Sequence, residues 1–161
     1  CEKILNFEKE FSEFYNNQKN IIKKIMIPRT ENYLNWRFIK NPEITYHCYK
    51  LLKKDKLLGY FILKNYQNKK CHIVDFLLEN NSSIYTEMIY NTIDFCKKNN
   101  LTKITLWTNG LKSFYSQILK MGFKEIPMEN NFIIRILEKN TLNKLNYFEN
   151  WYLTMSDSDV F

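Results

Sequence analysis

The apolar positions of the chain recur first at helical spacing, then at every second residue, then at helical spacing again. Phe7, Phe11, Phe14 and Tyr15 fall on one face, with Glu8, Glu10 and Glu13 between them, which predicts an amphipathic first helix. Pro28 marks a break. A second helix is expected over about Glu31 to Ile39, dense in Tyr33, Leu34, Trp36, Arg37 and Phe38. It stops at Asn41-Pro42, because proline disfavours a helical residue before it. From Ile44 the period becomes two. Thr45 to Leu52 and Leu57 to Leu63 read as strands joined by the charged turn Lys53-Lys54-Asp55-Lys56, and Cys71 to Leu78 as a third, which makes an antiparallel meander.

Beyond the meander, Ile84, Met88, Ile89, Thr92, Ile93 and Cys96 return to helical spacing. Ser82-Ser83 stand before them, and Lys97-Lys98 place cations at the carbonyl end. Lys103 to Trp107 is a short apolar strand, so the strand-helix-strand unit is expected to be a parallel crossover. A helix from about Leu111 to Met121 follows Asn109-Gly110, with Gly122 as its left-handed stop. Phe123 to Pro127 and Asn131 to Leu137 read as two more strands, Leu142 to Leu153 as an amphipathic stretch, and Ser156-Asp157-Ser158-Asp159 as an acidic end.

A length of 161 residues suits one ordinary domain, and 45% hydrophobic with 16% aromatic residues excludes an intrinsically disordered chain. The net charge of +7 favours anionic partners. The lysines, however, are scattered among asparagines and no nucleic-acid-binding module accompanies them, so nucleic acid is not an expected partner. Cys1, Cys48, Cys71 and Cys96 show no paired spacing, and reduced thiols in a cytoplasmic protein are the expectation. No apolar run approaches the roughly 18 to 20 residues that span a bilayer. His47-Cys48 and Cys71-His72 are poor zinc pairs, since neighbours on a strand point to opposite faces; no metal site is expected.

Helix, helix, three-strand meander, helix, strand, helix, strand, strand is an order that resembles the GNAT (N-acetyltransferase-like) superfamily, over nearly the whole chain to Leu137. The implied fold is α/β, with a mixed, mostly antiparallel central sheet flanked by helices. Asn109 with Gly122-Phe123 resembles the superfamily's Asn after the fifth strand and Gly-Phe after the fourth helix. Arg29 with Tyr33-Leu34-x-Trp36-Arg37-Phe38 and Pro42, and Trp151-Tyr152-x-Thr154 with Ser156-Asp157-Ser158-Asp159, look like a bacterial subgroup associated with surface-polysaccharide gene clusters. Some members of that subgroup carry two such halves, and a chain beginning at Cys1 would suit one of them, with a second GNAT-like domain as its neighbour.

The resemblance implies an acyl-CoA-dependent N-acyltransferase, using acetyl-CoA or another acyl-CoA and acting on an amine of a small acceptor such as an amino-sugar. The pantetheine would lie along Leu77 and Leu78, near Asn109. The pyrophosphate would meet the loop Glu79-Asn80-Asn81-Ser82-Ser83-Ile84 and Tyr85, where a helix N-terminus offers unpaired N–H groups. The superfamily's glycine-rich signature is absent there, since no glycine lies between Gly59 and Gly110. Hence a non-catalytic GNAT-like binding or assembly module stands as the alternative. The superfamily's acid, often a Tyr four residues before the Gly-Phe pair, falls on Ile118; Tyr115 lies one turn earlier and is the candidate acid, or else a packing residue. Asp75 and Glu79 are the candidate bases, four apart on one strand, with a structural hydrogen bond as the other reading of Asp75. Trp36, Arg37, Tyr46, Asp157 and Asp159 are candidates to hold the acceptor; for Trp36, as for Trp151, a core anchor is the other reading, and for Arg37 and the two aspartates a salt link with one another.

Overall fold

A computed structural model describes residues 1–67, 69–109, 111–126 and 147–158. Its centre is a sheet of strands β1 (Glu2–Lys3), β2 (Tyr46–Lys53), β3 (Lys56–Tyr66), β4 (Lys70–Leu78) and β5 (Lys103–Leu106), side by side in chain order. β1 to β4 pair antiparallel, and β4 pairs with β5 in parallel. The meander and the crossover follow the period-two reading. β1 does not, because two residues carry no period.

Helix α1 (Lys9–Ile22) buries Phe11, Phe14 and Tyr15 and ends at Lys23 in the left-handed conformation. Helix α2 (Glu31–Leu34) is capped by Thr30 and continues into a wider π turn over Asn35–Ile39. That turn is pinned to the start of the chain, since the Asn35 side chain accepts from the Phe7 amide at 2.9 Å and donates to its carbonyl at 2.7 Å. Helix α3 (Ser82–Lys98) joins β4 to β5, and α4 (Lys112–Lys120) follows β5.

The two sheet faces are covered by different helices. Tyr60 of β3 meets Phe7 and Phe11 edge-on, with ring centroids 5.9 and 6.0 Å away, so Tyr60, Ile62 and Asp75 face α1. Phe76 meets Phe114 of α4, which in turn meets Tyr85 of α3, at 4.8 and 5.1 Å. Each such buried aromatic stabilises the fold by about 1.5–3 kcal/mol. β4 is covered on both sides, and all its residues after Lys70 are buried.

Two irregularities shape the site. Ile62 stands opposite Asp75 but Leu63 opposite Ile73, so Val74 is an extra residue in β4, a bulge that bends the strand. In addition, the β4–β5 ladder runs only from Lys70/Lys103 to Ile73/Leu106. Beyond that point β4 continues to Leu78 without β5, and the two strands fork. Gly59 of β3 lies against the far end of β4, where a Cβ would stand 2.7 Å from the Leu77 carbonyl oxygen, so only glycine fits.

Phe123–Ile126, expected to begin a strand, is irregular. The Phe123 amide donates to the Ile118 carbonyl at 3.1 Å and so closes α4, with Gly122 at φ +90° as the left-handed stop. The strand expected at Asn131 to Leu137 lies outside the described residues, as does most of the stretch from Leu142. From Tyr147 the chain returns as two short 3-10 turns, Phe148–Asn150 and Met155–Asp157, separated by extended residues.

Candidate functional site

The returning segment crosses the mouth of the fork. The Ile25 amide donates to the Asn150 carbonyl and the Tyr152 amide to the Ile25 carbonyl, each at 2.8 Å. On its other side Leu153 bridges antiparallel to Asn109, and the Asn109 side chain donates to the Phe148 carbonyl at 2.6 Å. Asn109, expected beside the pantetheine, is therefore engaged with the tail.

Behind this segment sits a buried charged cluster. The Arg29 guanidinium, fully shielded from water, reaches both oxygens of Asp157 at 2.8 and 2.7 Å, Thr154 Oγ1 at 3.2 Å and Asp75 Oδ1 at 3.3 Å. Thr154 Oγ1 donates to Asp75 Oδ1 at 2.7 Å, and the Tyr60 hydroxyl to Asp75 Oδ2 at 3.0 Å. The Thr154 amide closes the turn by donating to Asp157 Oδ2 at 2.8 Å. Burial works against the charge on Arg29, but Asp75 and Asp157 outweigh it and hold its pKa well above the ordinary value. Burial raises Asp157 above the usual carboxylate range, with the guanidinium pulling the other way.

Asp75 is thus an acceptor of structural hydrogen bonds, and its donors come from β3, the α1–α2 connection and the tail rather than from a helix. Asp157 pairs with Arg29. That corrects the expected link of Asp157 to Arg37, which instead donates to the Ser158 carbonyl at 3.3 Å. Asp159 lies outside the described residues. Sequence reasoning placed Arg29, Tyr60 and Thr154 in no site. One signal was present: the chain has 21 Lys and only 3 Arg, so an arginine marks a position where a planar, multidentate, always-charged group is needed.

Of the other candidate acceptor residues, Trp36 and Arg37 lie on the π turn and Tyr46 begins β2. Tyr33 and Trp36 have ring centroids 6.1 Å apart, and Trp36 is 66% exposed, which removes it from the core. Tyr46 is buried edge-on to Phe38 at 5.1 Å, and its hydroxyl finds no hydrogen-bond partner. Burial raises its pKa, opposed by the nearby Arg37 charge. Trp36, Arg37 and Tyr46 therefore share one side of the molecule with Asp157.

The loop after β4 is organised by its own side chains. The Asn81 side chain accepts from the Ser83 amide at 2.9 Å and from Ser83 Oγ at 2.8 Å, while the Ile84 and Tyr85 amides, each at 3.1 Å, bond the Asn81 carbonyl. The Asn80 side chain accepts from the Tyr85 hydroxyl at 2.6 Å and from Ser113 Oγ at 2.7 Å, which ties the loop to the start of α4. Most N–H groups of the first turn of α3 are thus already capped. Ser82 keeps an exposed side chain, and Leu77 and Leu78 are buried on β4.

Glu79, one residue past β4, turns to Lys56 Nζ at 2.6 Å and keeps some exposure, away from the Asp75 cluster. Tyr115 on α4 is 37% exposed, and its hydroxyl donates to Glu125 Oε2 at 3.1 Å, a bond that raises its pKa. It lines a cavity of about 820 Å³ beside β5, with His72, Thr105, Trp107 and Met155 among the other walls.

The overall fold has counterparts among solved structures. The aminoglycoside acetyltransferase meta-AAC0020 from an uncultured soil metagenomic sample, crystallised in complex with trehalose, superposes with a TM-score of 0.55. It is 12% identical, over 83% of this chain and 95% of that one. The chain has a GNAT-like α/β fold. The protein TTHA1254 from Thermus thermophilus matches at a TM-score of 0.52 and 10% identity, over 86% of this chain and 99% of that one. No protein-family model matches the chain, and no curated protein does. At these identities the likeness is one of fold.

Proposed function

We propose that this chain is an acyl-CoA-dependent N-acyltransferase, transferring an acyl group, most simply acetyl, to an amine of a small metabolite such as an amino-sugar. The observation that carries the reading is the fork: within a GNAT-like fold, the β4–β5 pairing ends at Ile73 and Leu106, so that the backbone of Phe76 to Leu78 has no β5 partner. The extended arm of an acyl-CoA would pair with that edge. Ser82 and Ser83 at the start of α3 would take the pyrophosphate, the dipole of a 17-residue helix favouring the anion.

The chemistry is direct attack of the acceptor nitrogen on the thioester carbon. The new C–N bond forms, the C–S bond breaks, the amine loses a proton and the departing thiolate gains one. Glu79 keeps solvent access and serves as the base, and the Tyr115 hydroxyl serves as the acid at the α4 side of the cleft. Asp75 holds the framework. The acceptor lies against Trp36, Arg37 and Tyr46, where an aromatic face stacks on a sugar ring and the cation orients its polar groups. The subgroup motifs around Arg29 and Trp151 support a role for this activity in surface-polysaccharide synthesis, with a second GNAT-like domain as a partner.

One observation favours a second reading, a non-catalytic binding module of the same fold: the Phe76 carbonyl and most first-turn amides of α3 already have partners inside the chain.

Calorimetric titration with acetyl-CoA, followed by thiol release in the presence of amino-sugars, separates the two. Saturable binding weakened by a Ser82→Ala/Ser83→Ala double variant, and transfer reduced about a hundredfold by Glu79→Gln with binding retained, is the expected result. Absence of binding at millimolar acetyl-CoA would establish the module.

A further inference from the structure

The fork is filled. Tyr152 is 2% exposed, and its hydroxyl donates to the Phe76 carbonyl at 2.5 Å, taking the edge group that β5 no longer reaches. Its ring touches Phe76 on the α4 side of the sheet at 6.2 Å and the Arg29 guanidinium on the α1 side at 5.9 Å. A side chain in contact with both faces of a sheet lies in the plane of the sheet, where the next strand would be. The tail is thus inserted between Asn109 on one side and Ile25 on the other.

What holds it differs from what holds a strand. Around Trp151 and Leu153 the backbone makes isolated bridges instead of a continuous ladder. The main grip is the ion pair of Asp157 with Arg29 and the hydrogen bond of Thr154 to Asp75. That grip is incomplete, since Arg29 Nε, though buried, has no hydrogen-bond partner. A buried polar network with one unsatisfied donor has a reason to rearrange when another acceptor arrives.

We infer that residues 151–157 form a displaceable strap, seated in the β4–β5 fork, that keeps the cleft closed and leaves when an extended amide-bearing ligand pairs with β4. For the identity of the ligand, the arm of an acyl-CoA, this rests on the acyltransferase reading; for the strap itself it does not. Entry of the arm breaks the Tyr152–Phe76 bond and replaces it with a ligand N–H donating to the same carbonyl. Release of Tyr152 also frees Asn109 and turns Asp157 toward the side where Trp36 and Arg37 stand, so that cofactor entry and exposure of the acceptor side are one movement.

Residue-resolved amide exchange on the full chain tests this, in wild type, Tyr152→Phe and Asp157→Asn, each with and without acetyl-CoA. The expectation is that the Tyr152 and Thr154 amides exchange through a local opening, at least about tenfold faster than those of Tyr60 and Phe61 in the sheet. Both variants raise the tail rate about tenfold further and leave the sheet amides protected. Acetyl-CoA speeds tail exchange while slowing that of the β4 edge. If tail and sheet amides exchange together in all three proteins, or if acetyl-CoA binds and leaves tail exchange unchanged, the strap is excluded. Local opening in the variants with no acetyl-CoA binding in any protein would uphold the strap and defeat the acyltransferase reading. Should Asp157→Asn fail to fold, Tyr152→Phe, which removes a single hydroxyl, carries the comparison.

Discussion

Asp75 and Asn81 lie six positions apart, yet the polar structures around them are built by opposite means. Asp75 is fully buried, and its partners come from β3, from Arg29 in the α1–α2 connection and from Thr154 in the tail, separated from it by 15, 46 and 79 positions. Asn81 sits at the surface and satisfies the start of α3 with bonds to Ser83, two residues away. Long-range bonds in a dry site join distant parts of the chain and are strong because little water competes. Local bonds at the rim shape a loop and can be exchanged for a ligand at small cost. The difference assigns Asp75 to the framework and, under the proposed acyltransferase reading, leaves the loop and Glu79 as the groups that would face a substrate.

The comparison breaks most readily at Arg29. Replacing it with Met should cost about 3–5 kcal/mol, because Asp75 and Asp157 would be left buried without their cation. Urea unfolding monitored by tryptophan fluorescence measures this, and a loss below about 1 kcal/mol would mean that water reaches the cluster.

His72, three residues before Asp75 on β4, gives the second test. Burial, with Lys64 and Lys70 nearby, lowers its pKa from 6.5 to about 4. Its folded pKa lies below the unfolded one, so its contribution is present above about pH 6.5 and is lost as the pH falls toward 4. Allowing for water at the edge of the ring, the loss is roughly 1–2 kcal/mol, and His72→Gln should flatten that part of the stability profile.

At the rim the effects shrink. Asn81→Ala removes the cap of α3 and should cost about 1 kcal/mol, read as a small drop in melting temperature. A change as large as that at Arg29 would place the loop in the framework too, and would remove the contrast.

Much of this arrangement was legible in local patterns. The alternation of Thr45 to Leu52, the helical recurrence from Ile84 to Cys96 and the stop at Gly122 predicted the meander, α3 and the end of α4, because those features depend on backbone geometry and on which face is apolar. The lone carboxylate in the run Ile73 to Leu77 was visible as an anomaly, but its neighbours were not. The acidic end and Arg29 were each conspicuous, though not as a pair, since the bond between them spans 128 positions. Trp36, which the sequence also offered as a core anchor, is exposed, because Leu34 and Phe38 on either side of it turn to the core and Trp36 lies on the opposite side of the turn.

By itself the sequence determined the succession of helices and strands, the antiparallel meander and the glycine-free loop after β4, all consequences of interactions over a few residues. Only the tertiary structure decided that β4 and β5 fork after four paired positions, that Tyr152 fills the gap and that Arg29 holds the tail. The physical reason is that burial, charge pairing and strand insertion depend on which distant segments exclude water together, and residue spacing along the chain carries no record of that.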